Sequence, residues 1–232
     1  MSDTASDIPD ERSPALPSIL IQVVLVLAAA QLVRGYTTWF LYDAVRPGLD
    51  DGRWYLVSAL GFAAAAAALW LILKPRAVDL GLTWTAMTAG SRSSVMGLAV
   101  LLGAVVIYTL WASPELLPKY LYWVLLVPLF EELLFRGYLW GRIGEHLNGR
   151  WAPWLTFVAV TLLFGLWHLG YLDVLTLRVL PFGSAEISLA DLLLRNVLVG
   201  WLVGALTGYA RLRGGAIHGA FLLHALWNLL TA

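Results

Sequence analysis

Two adjacent glutamates stand inside a stretch of sequence that is otherwise apolar enough to lie within a membrane. Glu131 and Glu132, followed closely by Arg136, interrupt YLYWVLLVPLFEELLFRGYLW, residues 120–140. A charged side chain at the centre of a bilayer costs about 2.5–3.5 kcal/mol on insertion scales. Such groups are kept where they pair, line a cavity or carry out chemistry, and a carboxylate can serve as a general base.

The spacing within this motif separates the two glutamates. On a helix, Glu132 and Arg136 lie one turn apart with the acid N-terminal to the base, which is the favourable order for an ion pair. Glu131 is rotated about 100° around the helix and is left as the surplus carboxylate. A structural ion pair therefore explains Glu132 and Arg136, whereas Glu131 is the candidate for chemistry.

Two further polar sites lie in apolar sequence nearer the C-terminus. His168 follows Phe164 by one turn in FGLWHLG, and His224 and Asn228 lie one turn apart in HALWN. A histidine and an amide on one helix face can ligate a cation or donate hydrogen bonds to a developing oxyanion. They can equally bridge two membrane helices, and the spacing alone leaves these interpretations open.

Together these groups can assemble a hydrolytic centre on three helices. Glu131 can act as a general base on water, one histidine can relay the proton, and the other histidine with the amide can stabilise a tetrahedral oxyanion. The same site could instead hold a divalent metal such as zinc, with Glu131, His168 and His224 as candidate ligands. No cofactor is required by the sequence, and the HExxH and GxSxG signatures are absent.

The composition predicts an integral membrane protein. Hydrophobic residues make up 60% of the 232 residues and charged residues only 13%, and the mean hydropathy is +0.76. Ordinary globular domains are about 25% charged. The net charge is zero without a basic block, so nucleic acid is not an expected partner, whereas the lipid bilayer is. The absence of cysteine excludes disulfides, thiolate zinc sites and a cysteine nucleophile.

Apolar windows of about 20 residues predict an all-α, polytopic transmembrane helix bundle with about seven spans, or eight at most. Residues 1–18 are polar and acidic and are predicted to form a disordered tail, and residues 19–232 form a single transmembrane domain. The broken apolar segment Tyr171–Phe182, which contains Pro181, is either re-entrant or a short eighth helix. The seven predicted spans are approximately Leu16–Tyr42, Trp54–Leu73, Ser94–Trp111, Lys119–Arg142, Ala152–Leu169, Leu189–Leu212 and Gly215–Leu230.

The lysines and arginines predict the orientation. With seven spans and the N-terminus inside, the inner segments hold eight of these residues and the outer segments four. Basic residues are enriched on the cytoplasmic side, so we expect a multi-pass protein of a bacterial-type plasma membrane with its N-terminus inside. The inner residues are Arg12, Lys74, Arg76, Arg92, Arg142, Arg150, Arg211 and Arg213, and the outer ones are Arg46, Arg53, Lys119 and Arg178.

Glycines at four-residue spacing are interpreted as helix-packing faces. Small residues at this spacing let membrane helices approach closely, and no functional interpretation explains them better. The three groups are Gly137/Gly141, Gly200/Gly204/Gly208 and Gly215/Gly219.

The three polar motifs, in this order on separate helices, resemble those of the CPBP family. This is the CAAX-protease and bacteriocin-processing family, also called ABI, which includes the type II CAAX prenyl endopeptidase. Its motifs EExxxR, FxxxH and HxxxN or HxxxD are met here without departure. The resemblance covers approximately residues 119–230 and implies an all-helical intramembrane endopeptidase.

The resemblance also implies roles for the motif residues. Glu131 would activate water, with His168 as its partner, and His224 and Asn228 would form the oxyanion side. The family is often described as metalloproteases, yet a glutamate-based mechanism needs no tightly held metal, and the residues suit either. The residues with an implied supporting role are Glu132 and Arg136.

The implied substrate is a short membrane-bound peptide or protein tail, either prenylated and CAAX-type or bacteriocin-like. Two other functions stay open. A non-catalytic membrane scaffold or immunity protein would use the same motifs only for folding. An ion or proton transporter would also bury Glu and His, but it predicts broken half-helices repeated in two similar halves, and these are not evident in the sequence.

Overall fold

The chain folds into a bundle of helices in the computed structural model, which describes residues 16–45, 51–171 and 189–231. Within these residues 87% are helical and no strand occurs, so the predicted all-α fold is confirmed. The helices are α1 (Leu16–Val45), α2 (Asp51–Leu73), α3 (Ala89–Ala112), α4 (residues 117–144), α5 (Ala152–Trp167), α6 (Leu189–Gly214) and α7 (His218–Thr231).

Five helices of the described residues are long and apolar enough to cross a membrane, namely α1, α2, α3, α5 and α6. Helix α4 carries the charged EELLFR motif. Helix α7 has 14 residues, which at 1.5 Å each reach about 21 Å, less than the hydrocarbon layer of about 30 Å. The number of about seven spans therefore stays a prediction. The five candidate spans are Pro17–Ala44, Gly52–Leu73, Ala89–Ala112, Ala152–Gly170 and Leu193–Gly214.

Two predicted segments fall largely outside the described residues. Residues 1–15 of the predicted tail are among them, and α1 begins at Leu16, inside the range 1–18 that we assigned to the tail. Of the segment Tyr171–Phe182, the structure describes only Tyr171, which ends a 3₁₀ turn, His168–Gly170, after α5. The alternatives of a re-entrant segment and an eighth helix stay predictions.

Helix α4 is irregular on both sides of the glutamates. Its α-helical part Val127–Glu132 lies between two π-helical parts, Leu121–Leu126 and Leu133–Leu139. Pro128 has no N–H to donate, and the N–H of Val127 pairs with the carbonyl five residues earlier. π-helical turns are rare and are found mostly at functional sites.

Aromatic rings from α2, α4 and α5 form the core beside this irregular helix. Phe135 of α4 packs edge-on against Phe164 and Trp167 of α5, at ring distances of 5.0 and 5.7 Å. Phe62 of α2 packs edge-on against Phe130 at 5.2 Å. These contacts hold α2 and α5 against the stretch of α4 that carries the glutamates.

The glycine stripe of α6 allows α5 to approach closely. A Cβ atom added to Gly200 would lie 2.7 Å from Nδ1 of His168, and one on Gly204 would lie 3.2 Å from the ring of Phe164. A Cβ on Gly208 would lie 3.1 Å from the ring of Phe157, two turns earlier on α5. The predicted packing face is confirmed for this stripe, and it brings α6 against the helix that bears His168.

Candidate active site

A buried ion network joins α4 and α7. Arg136 Nη1 donates to Glu132 Oε1 at 3.2 Å, and His224 Nδ1 donates to the same oxygen at 2.9 Å. The exposed fractions of the three side chains are 0%, 0% and 4%. The ion pair predicted from the spacing of Glu132 and Arg136 is therefore present, and His224 joins it from the last helix.

Arg136 also anchors the neighbouring helices. Its Nη2 donates to the carbonyl of Gly204 at 2.9 Å, and its guanidinium lies 4.2 Å from the ring centre of Phe164. Arg211 donates through Nε to the carbonyl of Arg136 at 2.9 Å. A buried charge is retained where it is paired and hydrogen-bonded, and Arg136 meets this condition by tying α4, α5 and α6 together.

Glu131 is held by one oxygen and faces His224 with the other. Trp167 Nε1 donates to Glu131 Oε1 at 2.7 Å, and the hydroxyl of Tyr171 donates to the same oxygen. Oε2 lies 3.7 Å from Nε2 of His224, which is too far for a hydrogen bond. The side chain is 1% exposed. The surplus carboxylate is thus buried and oriented, and His224 lies between the two glutamates.

His168 has a defined tautomer. Its Nδ1 lies 2.8 Å from the carbonyl of Phe164, and because a carbonyl only accepts, Nδ1 carries the hydrogen. In the neutral ring Nε2 is then the acceptor. The ring packs against those of Phe164 and Tyr171 at 5.0 and 5.4 Å, so His168 is adjacent to one of the two donors that hold Glu131.

Asn228 contacts a different part of α4 from its helical neighbour His224. Its Nδ2 donates to the carbonyl of Trp123 at 2.7 Å, whereas His224 contacts the glutamates. An amide nitrogen carries two hydrogens, so one remains for another acceptor. The structure therefore brings Glu131 and His224 close together and places Asn228 one turn further along α7.

Two residues that contact Glu131 were missed by the sequence analysis, Trp167 and Tyr171. They lie one turn apart in WHLGY, on either side of His168, so a common face was visible in the spacing. Tryptophan and tyrosine are also common at the ends of membrane spans, where they serve as interfacial anchors. This ordinary role does not apply to Trp167 and Tyr171, because both donate to the Glu131 carboxylate inside the bundle.

The candidate metal ligands do not form a metal site. Among residues 16–45, 51–171 and 189–231, no group of three or more His, Asp or Glu side chains is arranged to hold a metal ion. Nδ1 of His224 is engaged by Glu132 and Nδ1 of His168 by a backbone carbonyl, so only the Nε2 atoms of the two rings remain as possible ligands. Because Glu131, His168 and His224 are not grouped as a set of three ligands among the described residues, we assign no step to a metal, and the metal site stays a prediction.

An apolar cavity lies beside the site. It has a volume of about 180 Å³ and is lined by α2, α4 and the segment that follows α2, with Phe62, Leu69, Phe130 and Leu134 among its walls. Phe130 immediately precedes Glu131 and packs against Trp167 at a ring distance of 6.2 Å. One wall residue of the cavity thus contacts Trp167, which donates to the Glu131 carboxylate.

The sequence from residue 111 to residue 230 matches the family model described as type II CAAX prenyl endopeptidase Rce1-like. The match covers more than half of the chain and all three polar motifs, and the chain belongs to this family. No curated protein and no solved structure matches it. The family resemblance inferred from the motifs is confirmed, and with five helices able to cross a membrane the chain is an integral membrane protein of a protease family.

Proposed function

We propose that this protein is an intramembrane endopeptidase that hydrolyses membrane-bound peptides with a water molecule activated by Glu131. The orientation of Glu131 is the observation that carries the proposal. One carboxylate oxygen is fixed by Trp167 and Tyr171, and the other faces His224 at 3.7 Å. A general base works best when its geometry is set in advance by surrounding hydrogen bonds.

The proposed reaction needs one proton acceptor that is restored in each cycle. Water attacks the carbonyl carbon of the scissile bond while Glu131 takes one of its protons. The tetrahedral intermediate carries its negative charge on the former carbonyl oxygen. When it collapses, the carbon–nitrogen bond breaks and the proton moves from Glu131 to the leaving amine. His168, whose Nε2 is an acceptor, is the proposed partner in this proton transfer.

His224 and Asn228 are the proposed oxyanion side. The amide of Asn228 is anchored on the carbonyl of Trp123, which leaves its second N–H to donate. Nδ1 of His224 donates to Glu132, so Nε2 donates to an oxyanion when the ring carries a second proton. Donors fixed before the reaction stabilise developing charge without reorganising, which is why the anchoring by Trp123 and Glu132 supports this role.

The proposed substrate is a membrane-bound peptide or protein tail with an apolar anchor. The cavity of about 180 Å³ beside Phe130 supports this, because apolar walls suit an alkyl or isoprenoid chain. A prenylated CAAX-type tail and a bacteriocin-like peptide are the two candidates. If the substrate is a prenylated CAAX-type tail, removing the lipid should abolish cleavage. If it is a bacteriocin-like peptide, the unlipidated form should still be cleaved.

The decisive test is cleavage of matched lipidated and unlipidated peptides by the purified protein in nanodiscs. Glu131→Gln should lower turnover by about 10²–10⁴-fold, since general acid–base catalysis contributes that much. The protein should still fold, because glutamine keeps an oxygen that accepts from Trp167 and Tyr171. Glu145→Gln is the matched control, since the Glu145 side chain is 64% exposed outside the site.

Three further outcomes discriminate between the open alternatives. Full turnover by Glu131→Gln would exclude Glu131 as the base. Loss of wild-type activity on adding a chelator would restore the metal interpretation. If well-folded wild-type protein cleaves neither set of peptides, the non-catalytic scaffold is favoured instead.

We also propose that the N-terminus lies inside, in a plasma membrane of bacterial type. The excess of lysine and arginine on inner segments supports this orientation. Because the chain has no cysteine, single cysteines can report it without background. A cysteine at Glu115, between α3 and α4, should react with an impermeant reagent from outside, and one at Asn148, between α4 and α5, should not. The reverse pattern would invert the proposed topology.

A further inference from the structure

Helix α1 carries a second buried arginine, although it lies outside the part of the chain that matches the family model. Arg34 is 1% exposed. Its guanidinium carbon lies 4.5 Å from the ring centre of Tyr171 and 5.4 Å from that of Phe62. A cation over an aromatic face is attracted by the ring, and the attraction grows when both are withdrawn from water.

Arg34 and its neighbour Gln31 hold the end of α5. Arg34 Nη2 donates to the carbonyl of Gly170 at 3.0 Å, and Arg34 Nε donates to Gln31 Oε1 at 3.0 Å. Gln31 Nε2 in turn donates to the carbonyl of Trp167 at 2.9 Å. A Cβ atom on Gly170 would lie 2.4 Å from Gln31 Cδ, so the contact requires glycine there. Helix α1 thus donates hydrogen bonds to the backbone carbonyls of Trp167 and Gly170, which lie on either side of His168.

The segment that α1 contacts, residues 167–171, is also the segment that holds Glu131. Trp167 and Tyr171 both donate to Glu131 Oε1, and both lie within the stretch that α1 contacts. The last carbonyls of a helix have no partner within the helix, and a cation near them is favourable. Arg34 supplies both a hydrogen-bond donor and a positive charge at the end of α5. The positions of Trp167 and Tyr171 therefore depend on α1, although none of these contacts joins α1 to the Glu131 carboxylate.

We propose that Gln31 and Arg34 are positioning residues, which fix the end of α5 so that Trp167 and Tyr171 hold Glu131 with Oε2 towards His224. The inference rests on the proposed role of Glu131 as the base. Arg34, the Tyr171 hydroxyl and the Glu131 carboxylate follow one another as cation, donor and anion. Arg34 lies over the ring of Tyr171, and the hydroxyl of that ring donates to Glu131, so the position of the ring links the two charged groups.

A matched pair of glutamines on α1 tests this in kinetics. Gln22 also reaches α4, where it accepts from Arg142 Nη2 at 3.2 Å, but away from the site. Gln31→Ala and Arg34→Met should lower kcat by up to about 10²-fold with little change in KM, because a shift of about 1 Å in a catalytic group has that effect. Gln22→Ala should leave kcat unchanged. Arg34→Lys should recover part of the loss, since an ammonium keeps the attraction to the ring.

A second readout is independent of activity. The indole N–H signals of the 12 tryptophans can be followed by NMR, with Trp167→Phe identifying the one bonded to Glu131. That signal should move in Gln31→Ala and Arg34→Met and stay in Gln22→Ala. In kinetics, Arg34→Met should add little to Tyr171→Phe, because a residue that acts through another is not additive with it.

The outcomes separate this inference from the proposed function. An unmoved Trp167 signal in both Gln31→Ala and Arg34→Met overturns the inference, whatever happens to kcat. A moved signal together with lowered kcat supports it. A moved signal in a protein whose wild type cleaves no peptide upholds the link from α1 to Glu131 and overturns the peptidase function. If Arg34→Met fails to fold, Arg34→Lys and Gln31→Ala carry the same comparison.

Discussion

The two buried arginines, Arg136 and Arg34, have closely similar surroundings. Each lies over an aromatic ring, Phe164 at 4.2 Å and Tyr171 at 4.5 Å respectively. Each donates to a backbone carbonyl of another helix, at 2.9 and 3.0 Å. Both are essentially withdrawn from solvent, with 0% and 1% exposed. A buried arginine has thus been accommodated in the same manner twice, once on α4 and once on α1.

The two differ in where their partners stand in the sequence. Arg136 pairs with Glu132 one turn earlier on its own helix, and both are fully buried. Arg34 reaches the end of α5, 136 positions further along the chain. The first arrangement holds opposite charges together and supports the fold. The second holds the donors on Glu131, so we expect changes at Arg136 to act mainly on stability and changes at Arg34 mainly on turnover.

The largest effect is expected from Arg136→Met. It leaves the Glu132 carboxylate buried without its guanidinium, and breaking a buried pair in this way costs about 3–5 kcal/mol. Unfolding monitored by circular dichroism in detergent should show this loss, and activity should fall with it. Arg34→Met should lose clearly less stability. Equal losses in the two variants would remove the distinction between the arginines.

The double variant Glu132→Gln/Arg136→Met is the control for that experiment. Glutamine keeps an oxygen that accepts from His224 Nδ1, and no unpaired charge is left behind. Much of the stability lost in Arg136→Met should therefore return, with a coupling of about 0.5–3 kcal/mol between the two positions. Without any recovery, the loss in Arg136→Met would have to come from packing against Phe164 rather than from charge.

A smaller effect is expected where α1 meets α2 beside Arg34. A Cβ atom on Gly61 of α2 would lie 2.2 Å from Thr38 Oγ1 and 2.8 Å from the carbonyl of Arg34. Gly61→Ala should therefore cost about 1–3 kcal/mol, as overpacking does, and should lower kcat by displacing Arg34. Gly35→Ala is the control, because nothing lies within 4 Å of the added carbon there. Equal kcat in both variants would show that turnover tolerates this displacement.

The parts of the molecule that depend on local spacing were predictable. The Glu132–Arg136 pair follows from one helical turn, and the glycine stripe of α6 follows from four-residue spacing. The helical fold and the family followed from composition and from motifs whose residues lie within one turn of each other. In each case the signal lies within a few residues of sequence, either as a pair one turn apart or as a short repeating interval.

The parts that depend on how helices meet were not predictable. In the sequence, Arg34 is a single charge late in the first predicted span, and nothing in the neighbouring sequence points to a contact with Gly170. The π-helical turns of α4 change the rotation per residue on both sides of the glutamates, so a regular helical projection misplaces what they face. Asn228 shares a face with His224, yet it contacts the carbonyl of Trp123 instead of the glutamates.

A third arginine, Arg76, is exposed and shows by contrast what burial contributes. The smallest effect on stability is expected from breaking its ion pair. It pairs with Asp79 in the exposed segment after α2, at 3.0 Å. Hydrogen bonds from the Arg76 side chain and backbone lower the pKa of Asp79 below its usual value. A carboxyl with a lowered pKa stabilises the fold above its unfolded-state pKa of about 3.9 and loses that contribution as the pH falls through the lowered value.

Asp79→Asn should therefore melt slightly below wild type at pH 7, and the two melting temperatures should converge as the pH falls below about 3.9. The difference at pH 7 should be far smaller than that of Arg136→Met, because solvent and salt screen an exposed pair. Thermal unfolding of both variants across this pH range measures it. A loss as large as that of Arg136→Met would mean that burial is not what separates the two arginines in their effect on stability.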